Sequence, residues 1–365
     1  MSGTSLDGVD GVIYDFSGKA PKVSAFSSAS FPTELRTELL ALNTAGDNEL
    51  HRAALAANAL TCVYAQVVSQ LLAQTNLAPA DICAIGSHGQ TVRHRPGEFD
   101  GTGYTLQLNN PALLAELTDI DVVADFRSRD VAAGGQGAPL VPAFHQDVFA
   151  GQGEGQNESI AVLNIGGISN LSVLGKDEPL LGFDCGPGNA LMDYWCHLHT
   201  GKLFDADGVW AASGQVNQAL LNQLMAEPFI SKAPPKSTGR DLFNPTWLQQ
   251  QLQNFDDMLP QDVQATVTEF TAKACIHCLN SYAKNSKKLF VCGGGALNSH
   301  LMRCLQAAQP AIVVASSDVL GLPPMQVEAA AFAWLARKAI RRETASFKSV
   351  TGAQGSRILG AIYPA

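Results

Sequence analysis

Two neighbouring glycine-rich segments constrain the fold of this chain more than any other feature. The apolar run 163–165 ends in the turn Gly166-Gly167, and the segment 181–189 carries one acid, Asp184, ahead of a second glycine loop. Consecutive glycines after an apolar strand let backbone N–H groups converge on an anion, because no Cβ stands in the way. An Asp at a strand end can accept a proton or hold a metal ion. The combination indicates phosphoryl transfer.

Two further glycine turns follow the same pattern. Residues 1–10 (MSGTSLDGVD) are small and rich in hydroxyl groups, and they predict a tight turn before the strand-like run 11–16. Residues 288–298 (KLFVCGGGALN) run from an apolar strand into three glycines and then into a helix start at Asn298 or Ser299. One Gly-Gly after a strand is more often only a turn, whereas three such turns in one chain indicate ligand-binding loops.

Length and composition favour an enzyme of two domains. The chain has 365 residues, which is more than one hydrophobic core usually organises. The polar, glycine-rich segment 151–158 is the best boundary, so we predict an N-terminal domain over 1–150 and a C-terminal domain over 151–365. An apolar fraction of 46% excludes long disorder, and a formal net charge of −9 excludes a general nucleic-acid binder.

Hydropathy and cysteine usage predict a cytoplasmic protein without a membrane span or signal peptide. Apolar runs are short and broken by polar residues, and the eight cysteines are scattered, which suits a reducing compartment. Cys275 and Cys278 have the spacing of metal ligands, but they lack a second pair and lie in the predicted helix 263–284, so we interpret them as helix packing. His197 and His199 lack a partner at ligand spacing and are interpreted as helix surface.

The order of predicted elements is similar in the two halves of the chain. Apolar and alternating runs predict strands over 11–16, 82–86, 104–108 and 121–124, and then over 160–164, 171–174, 179–183, 289–292 and 311–314. Helical patterns cover 33–42, 49–73, a segment from 189, 263–284 and 325–341. This repeat predicts a duplicated α/β unit with a nucleotide cleft between the halves.

Seven segments, taken in chain order, resemble the family of anhydro-N-acetylmuramic acid kinases. They are residues 1–10 (MSGTSLDGVD), 86–92 (GSHGQTV), 134–142 (GGQGAPLVP), 164–170 (NIGGISN), 182–189 (GFDCGPGN), 236–240 (KSTGR) and 291–295 (VCGGG). The resemblance implies the sugar-kinase, Hsp70 and actin fold, which is an α/β fold of two duplicated ribonuclease H-like domains. It also implies ATP and Mg²⁺ as cofactors, a small sugar substrate and a role in recycling cell-wall peptidoglycan.

The reaction that this resemblance implies is unusual. Water opens the 1,6-anhydro ring of anhydro-N-acetylmuramic acid while the freed O6 takes the γ-phosphoryl group of ATP, which gives N-acetylmuramic acid 6-phosphate. A carboxylate must take the proton of that water, as the base does in an inverting glycosidase. Asp184 resembles the family's catalytic base. The alternative is that Asp184 only caps the loop that follows it. Asp193 is interpreted as a solvated or capping acid.

Three sets of residues resemble the family's nucleotide-binding motifs. They are Gly3, Thr4, Ser5, Leu6, Asp7, Gly8, Val9 and Asp10 in the first phosphate loop, Gly166 and Gly167 in the second, and Gly293, Gly294, Gly295 and Asn298 near the adenosine. In the first loop, backbone N–H groups and hydroxyls would contact the phosphates, and Asp7 would hold Mg²⁺ through water. Asp7-Gly8 is also typical of a plain hairpin turn, and the two roles are compatible.

The sugar carries a lactyl carboxylate, which suits a guanidinium. Arg127 and Arg129 follow a predicted buried strand and are the candidates, with surface ion pairs to neighbouring aspartates as the alternative. His88 and Gln90 follow the predicted strand 82–86 and would hydrogen-bond sugar hydroxyls. A structural role is the alternative for the histidine.

The chain differs from the family pattern at three places. It begins at Met1, directly before the first phosphate loop, whereas the resemblance implies an apolar strand that leads into the loop. Loss of such a strand would loosen the loop and expose the edges of its neighbours. Cys185 stands where a Thr is usual, which places an oxidisable thiol beside Asp184. Arg93 and Arg95 make residues 91–95 more basic than the family pattern.

Two other functions remain open at this point. One is a regulatory ATPase of the same fold, like the Hsp70 and actin nucleotide modules, because a fold does not fix a function. The other is an ordinary sugar kinase that phosphorylates a hydroxyl without opening a ring. No nucleic-acid or membrane partner is expected, and a homodimer is left open beside a monomer.

Overall fold

The structure is a computed structural model that describes residues 1–3, 6–18, 21–150, 159–175, 179–239 and 242–365. Thr4 and Ser5 of the predicted phosphate loop lie outside the described residues, as does the predicted boundary segment 151–158. The chain divides into two units. The first comprises Met1–Phe144 and Met325–Ala365, and the second comprises His145–Pro324.

Strands and helices alternate along the chain. From the amino terminus they are β1 (Gly8–Asp15), β2 (Lys22–Ser30), α1 (Thr33–Ala41), α2 (Glu49–Thr75), β3 (Ile85–Gly86), β4 (Gln90–Pro96), β5 (Gly103–Leu108), α3 (Pro111–Thr118), β6 (Val122–Ala124), α4 (Ser128–Val131) and α5 (Val141–Phe149). The second unit continues with β7 (Ile160–Ile165), β8 (Ile168–Leu174), β9 (Leu181–Pro187), α6 (Ala190–Thr200), α7 (Val209–Ala212), α8 (Gln218–Met225), α9 (Pro228–Ser231), α10 (Pro245–Leu252), α11 (Pro260–Tyr282), β10 (Lys288–Cys292), α12 (Ser299–Ala308) and β11 (Val313–Ser316). The first unit is completed by α13 (Val327–Ile340), α14 (Lys348–Thr351) and β12 (Ala361–Tyr363).

The second unit is built on a five-stranded sheet with the order β11-β10-β7-β8-β9. Strands β7, β8 and β9 form an antiparallel meander, and β10 is parallel to both β7 and β11. This order, with these directions, is that of a ribonuclease H-like sheet and agrees with the predicted fold class. The carboxyl ends of the parallel neighbours β7 and β10 therefore lie side by side, which is where such sheets bind ligands.

Apolar patterning explains the core of the second unit. Every residue of β7 is buried, as expected for a central strand that is covered on both faces. The long helix α11 begins with Pro260 at its first position and packs against β8 and β9, with Phe270 and Leu279 in the core. Cys275 and Cys278 on this helix are buried, free thiols, which confirms their interpretation as helix packing.

The first unit contains two antiparallel ribbons and a three-stranded sheet. The ribbons pair β1 with β2 and β4 with β5, and the sheet has the order β12-β6-β3. Helix α2 packs against β1, β2 and α3, and it buries Leu60, Val67 and Leu71. Among the described residues, α2 is the one helix long and apolar enough to cross a membrane, by length and composition. Its place against the core of this unit accounts for that composition.

A cavity of about 840 Å³ lies beside β1 in the first unit. Its lining includes Val12 and Tyr14 of β1 and the segment 82–86. The strand predicted over 82–86 is wrong in its first part, because only β3 pairs, with β6 on one side. Residues 82–84 line the cavity instead, and no strand among the described residues pairs with them.

The carboxyl-terminal segment Met325–Ala365 belongs to the first unit, whereas we predicted it in the second domain. Helix α13 packs against β1 and β3, and β12 pairs antiparallel with β6. At Gly86 the carbonyl of Phe332 approaches so closely that a Cβ would not fit. An alanine-rich terminal helix does not reveal by its sequence which of two sheets it covers, so the prediction followed chain order.

Candidate active site

Polar side chains that follow β3 hold the start of the predicted first phosphate loop. Ser2 is buried, and its hydroxyl lies 3.0 Å from the hydroxyl of Tyr64 on α2. The Ser2 carbonyl lies 3.1 Å from His88 Nδ1, and the Gly3 carbonyl accepts a hydrogen bond from Gln90 Nε2 at 3.0 Å. These bonds fix the direction in which the chain enters the loop.

His88 connects this loop to Arg127. Because the Ser2 carbonyl can only accept, Nδ1 of His88 carries the proton, and Nε2 accepts from Arg127 Nε at 3.1 Å and Nη2 at 2.9 Å. Burial, followed by the Arg127 charge, lowers the pKa of His88 well below its ordinary value, so the ring is neutral at pH 7. Both ring nitrogens are thus bonded within the protein. The geometry gives His88 a positioning role in place of the predicted contact with a sugar hydroxyl.

Gln90 retains an acceptor that no group in the described part of the chain uses. The residue is 1% exposed, and its Oε1 is buried without a hydrogen-bond partner among the described residues. An unsatisfied buried acceptor costs about 1–3 kcal/mol. A ligand hydroxyl would satisfy it, which fits the role predicted for Gln90.

Several side chains of the first loop serve packing. Leu6 and Val9 are buried in the core of the first unit. A Cβ at Gly8 would collide with the Ala29 carbonyl on β2, so this glycine allows the β1–β2 ribbon to form. Only the backbone of these residues is suited to contact a nucleotide.

The two acids of this loop have different surroundings. The side chain of Asp7 is exposed at the amino end of β1, where a hydrated cation can reach it. Burial raises the pKa of Asp10 to about 6, the Met1 ammonium opposes this rise, and Asp7 and Glu328 add to it. The predicted Mg²⁺ ligand, Asp7, is thus the more exposed of the two acids.

The structure separates the two arginines predicted to bind the lactyl carboxylate. Arg127 Nη1 donates to the Gly137 carbonyl at 2.8 Å. Arg129 lies on α4 and lines a cavity of about 700 Å³ together with Arg342 and Arg357. Arg127 does not line that cavity. Of the two guanidiniums, Arg127 is the one that adjoins the residues holding the first loop.

In the second unit, the turn between β7 and β8 is bonded to the start of α6. The Gly166 carbonyl accepts from the Asn189 N–H at 2.8 Å, and the Gly167 carbonyl accepts from Gly188 at 2.9 Å and Ala190 at 3.2 Å. A Cβ at Gly188 would collide with the Gly166 carbonyl. The predicted second phosphate loop thus lies at the amino end of an 11-residue helix, where the helix dipole favours an anion.

The third glycine segment packs against the end of β7. Gly293 has a φ of 76°, and a Cβ there would crowd Asn164 and the Ile165 carbonyl. A Cβ at Gly295 would meet the side chain of Ile165, and Gly294 lies between them near the start of α6. The segments that follow β7 and β10 therefore converge at one edge of the sheet.

Asn298 is the N-cap of α12. Its Oδ1 accepts from the Leu301 N–H at 2.9 Å, and Gly208 approaches it so closely that a Cβ would not fit. The side chain thus has a structural role at the place predicted to lie near the adenosine.

Asp184 lies on β9 at a β-bulge. It pairs with Asn170 of β8, and the next pair passes over Cys185, which is the extra residue on β9. Bulges redirect side chains and are common beside active sites. Asp184 is 8% exposed, and its Oδ2 accepts from the Thr238 N–H at 2.8 Å. A nearly buried carboxylate fixed by a main-chain N–H is an ordered proton acceptor.

The thiol beside Asp184 is protected. Cys185 has no exposed surface, and burial raises the pKa of its thiol well above the ordinary value. Because the thiolate is the reactive form, the oxidation expected at this position from the sequence is disfavoured. His197 and His199 are exposed on α6, which confirms their interpretation as helix surface. Asp193 lies in the first turn of α6.

The partners that position these groups were not predicted from the sequence. Thr238 belongs to the segment 236–240, which served only to establish a resemblance, and its polar run after two prolines was an unused signal. Tyr64 lies on the buried face of α2, where a phenol needs a hydrogen-bond partner. The sequence indicates that Tyr64 needs a partner but does not identify Ser2 as that partner.

Glycine turns at the ends of parallel strands, beside a nearly buried carboxylate, are typical of phosphate-binding α/β proteins. The family model described as anhydro-N-acetylmuramic acid kinase matches residues 1–365. A protein named anhydro-N-acetylmuramic acid kinase from Variovorax paradoxus (strain S110) is 64% identical over 370 residues, which cover 100% of this chain and 98% of that protein. A protein of the same name from Ralstonia nicotianae is 54% identical over 371 residues, which cover 100% of this chain and 96% of that protein. The chain belongs to the anhydro-N-acetylmuramic acid kinase family.

Solved structures resemble the chain more distantly. The component A of (R)-2-hydroxyglutaryl-CoA dehydratase from Acidaminococcus fermentans is 13% identical, with a TM-score of 0.45 over 89% of this chain and 96% of that one. The activator of the 2-hydroxyisocaproyl-CoA dehydratase from Clostridium difficile, with bound ADPNP, has a TM-score of 0.43 at 13% identity over 89% of this chain and 91% of that one. Likeness at this level identifies neither a ligand nor an activity.

Proposed function

We propose that this protein is an ATP-dependent kinase that opens 1,6-anhydro-N-acetylmuramic acid by hydrolysis and phosphorylates it to N-acetylmuramic acid 6-phosphate. The family match over residues 1–365 carries the proposal. The reaction serves the recycling of cell-wall peptidoglycan and the catabolism of amino sugars. We place it in the cytoplasm, because all eight cysteines are free thiols, as suits a reducing compartment.

In this proposal Asp184 is the general base. Water attacks the anomeric carbon and gives its proton to the Asp184 carboxylate. The bond from that carbon to O6 breaks, and O6 forms a new bond to the γ-phosphorus as ADP leaves. The bond from the Thr238 N–H to Asp184 Oδ2 supports this role, because it fixes the carboxylate before the substrate arrives.

The glycine turns are the proposed sites for ATP. The phosphates are assigned to the loop that begins at Gly3 and to the turn Gly166-Gly167, whose place at the amino end of α6 suits an anion. The adenosine is assigned to the vicinity of Gly293 and Gly295. Main-chain atoms are assigned these contacts in the described part of the first loop, where Leu6 and Val9 serve packing.

Mg²⁺ fits the residues present. The exposed carboxylate of Asp7 offers oxygen ligands, and no group of three His, Cys, Asp or Glu side chains that could hold a metal occurs in the described part of the chain. This suits Mg²⁺, which is usually held by one or two carboxylates, water and substrate phosphates instead of a protein cage. When bound, it would neutralise charge that develops on the transferred phosphoryl group.

The sugar is assigned to the residues that follow β3 and β6. Arg127 carries a fixed positive charge suited to the lactyl carboxylate, and Gln90 Oε1 is a buried acceptor suited to a hydroxyl. His88 orients both neighbours through its two ring nitrogens. Arg129 is a weaker candidate, because it lines the cavity of about 700 Å³, to which Arg127 does not contribute.

A substrate comparison tests the proposed function. The purified protein would be incubated with ATP and Mg²⁺ together with anhydro-N-acetylmuramic acid, glucose or N-acetylglucosamine, and the phosphorylated sugars would be identified by mass spectrometry. We expect phosphorylation of the anhydro sugar alone, with one water added. Phosphorylation of glucose or N-acetylglucosamine alone would indicate an ordinary sugar kinase. ATP hydrolysis without a phosphorylated sugar would indicate a regulatory ATPase.

A further inference from the structure

Lys236 carries an ammonium group inside the second unit. The residue is 2% exposed, and its Nζ donates to the carbonyls of Phe229 at 3.0 Å and Ile230 at 3.1 Å. The ammonium also lies 4.7 Å from the ring centroid of Phe229 and 5.9 Å from that of Phe183. Within the described ranges, no carboxylate lies within 4.0 Å of it.

A buried ammonium without a carboxylate partner is costly to a fold. Carbonyl oxygens and aromatic faces offset part of the desolvation, and the Cys278 sulfur at 3.9 Å adds a weak contact. An apolar side chain of similar length would fill this space without that cost. Because an apolar side chain would avoid this cost, the surroundings of Lys236 indicate a role beyond packing.

The backbone next to this ammonium holds Asp184. The Lys236 carbonyl accepts from the Asp184 N–H at 3.2 Å, and two residues further on the Thr238 N–H donates to Asp184 Oδ2 at 2.8 Å. The segment 236–238 therefore bonds both the main chain and the carboxylate of Asp184. The end of α9, which supplies the Phe229 and Ile230 carbonyls, holds that segment through the Lys236 side chain.

We propose that Lys236 is a positioning residue for the catalytic base. Its ammonium anchors the segment 236–238 to α9, and the segment in turn orients Asp184 Oδ2 through Thr238. This inference rests on the proposed role of Asp184 in the kinase reaction. The Lys236 ammonium bonds to the carbonyls of Phe229 and Ile230, so its removal should act on the orientation of the base and leave nucleotide binding intact.

The first test replaces the ammonium. Lys236→Met keeps the length of the side chain but removes the charge and the donors. We expect kcat for anhydro-N-acetylmuramic acid to fall about 10- to 100-fold, the loss that small misplacements of reacting groups produce, with the KM for ATP within about twofold. Lys236→Arg keeps a cationic donor and should retain several times the kcat of the Met variant. Lys273→Met, on the half-buried ion pair with Glu269, is the control and should match the parent.

A double-mutant cycle separates positioning from general destabilisation. If Lys236 acts through Asp184, the Lys236→Met change should lower kcat by less than about twofold in an Asp184→Asn background. An equal loss in the two backgrounds would overturn the proposal, as would an unchanged kcat in the single Lys236→Met variant.

Amide hydrogen exchange gives a readout that does not depend on the proposed function. The Thr238 N–H should exchange at least about tenfold faster in Lys236→Met than in the parent, while amides of β7 keep their rates. Unchanged exchange at Thr238 would overturn the proposal even if the enzyme phosphorylates the anhydro sugar. If the parent has no such activity, the proposed function fails and the exchange result still decides whether Lys236 orders this segment.

A second variant covers the case in which Lys236→Met does not fold. Thr238→Pro removes the N–H that donates to Asp184 Oδ2 and leaves Lys236 in place. If the segment 236–238 orients Asp184 through Thr238, this variant should lose kcat by the same order, about 10- to 100-fold. A Thr238→Pro protein with the kcat of the parent would overturn it.

Discussion

The main chains of Met1 and Asp10 are hydrogen-bonded to each other in both directions. The Met1 ammonium donates to the Asp10 carbonyl at 2.7 Å, and the Asp10 N–H donates to the Met1 carbonyl at 2.9 Å. Such reciprocal bonds mark a hydrogen-bonded pair of an antiparallel ladder. Met1 therefore lies along β1 as a strand residue would, and it lines the cavity of about 840 Å³. Burial lowers the pKa of its ammonium to about 6.

This pair sets the direction of any residues joined ahead of Met1, which would run antiparallel to β1 into the cavity. We predict that an apolar extension of about six residues, a typical strand length, raises the melting temperature and the kinase turnover. Each added ladder bond contributes about 1 kcal/mol, and several together shift a melting temperature by several degrees. Calorimetry and the sugar-kinase assay provide the measurements.

The matched control is an extension of equal length made of Gly and Ser, which has little apolar surface to bury. It should leave the melting temperature close to that of the parent. Equal melting temperatures and turnover for the apolar extension, the control and the parent would show that the cavity does not accept a strand.

Two glycines of the second unit distinguish packing from ligand contact. At Gly188 a Cβ would collide with the Gly166 carbonyl, so Gly188→Ala should lower the melting temperature. At Gly166 the nearest atom to a new Cβ is the Ile168 carbonyl oxygen at 3.8 Å, so Gly166→Ala should be tolerated within about 0.5 kcal/mol. If the ATP phosphates approach this turn, Gly166→Ala should nevertheless raise the KM for ATP about tenfold or more. A KM equal to that of the parent would place the phosphates elsewhere.

The glycine turns could be predicted because a short stretch of sequence is enough to indicate their conformation. The runs after β7 and β10 combine an apolar strand with Gly-Gly, and parallel neighbours bring such runs together at one edge. Asp184 stands out in the same way, as an isolated acid ahead of a glycine loop, and its predicted role as the base rests on the family resemblance. Strand β2 was not predicted, because its Ser and Ala residues have low β-propensity and its pairing depends on β1.

Contacts between residues distant in the chain could not be predicted. Thr238 bonds to Asp184 across 54 positions, and His88 bonds to Ser2 across 86. A sequence shows that each group needs a partner but does not identify that partner. His88 was for this reason predicted to contact sugar, whereas its two ring nitrogens are bonded to Ser2 and Arg127.

Stability should fall as the solution becomes acidic. Burial lowers the pKa of His145 from 6.5 to about 3, and its Nδ1 lies 2.8 Å from the Ser172 hydroxyl. Because the folded-state pKa is depressed, this contribution is fully present above pH 6.5 and is lost progressively as the pH falls from 6.5 toward 3. We predict that His145→Gln shows a smaller drop in melting temperature between pH 7 and pH 5 than the parent.

Asp10 has the opposite effect on the pH dependence of stability. The contribution of His145 is therefore measured as the difference between His145→Gln and the parent. Its raised pKa of about 6 favours the folded state as the pH falls from 6 toward its ordinary value of 3.8. His51→Gln changes an exposed histidine and should keep the drop seen in the parent. Identical drops for His145→Gln and the parent would reject the assignment to His145.

The turnover of Asp184→Asn shows whether Asp184 is the general base. Asn keeps the shape of the side chain but cannot take a proton from water. The account predicts that kcat for anhydro-N-acetylmuramic acid falls by about 10²–10⁴-fold while the KM for ATP changes little, and that Asp193→Asn, a nearby acid on α6, behaves like the parent. An Asp184→Asn protein that turns over at the rate of the parent would contradict the account.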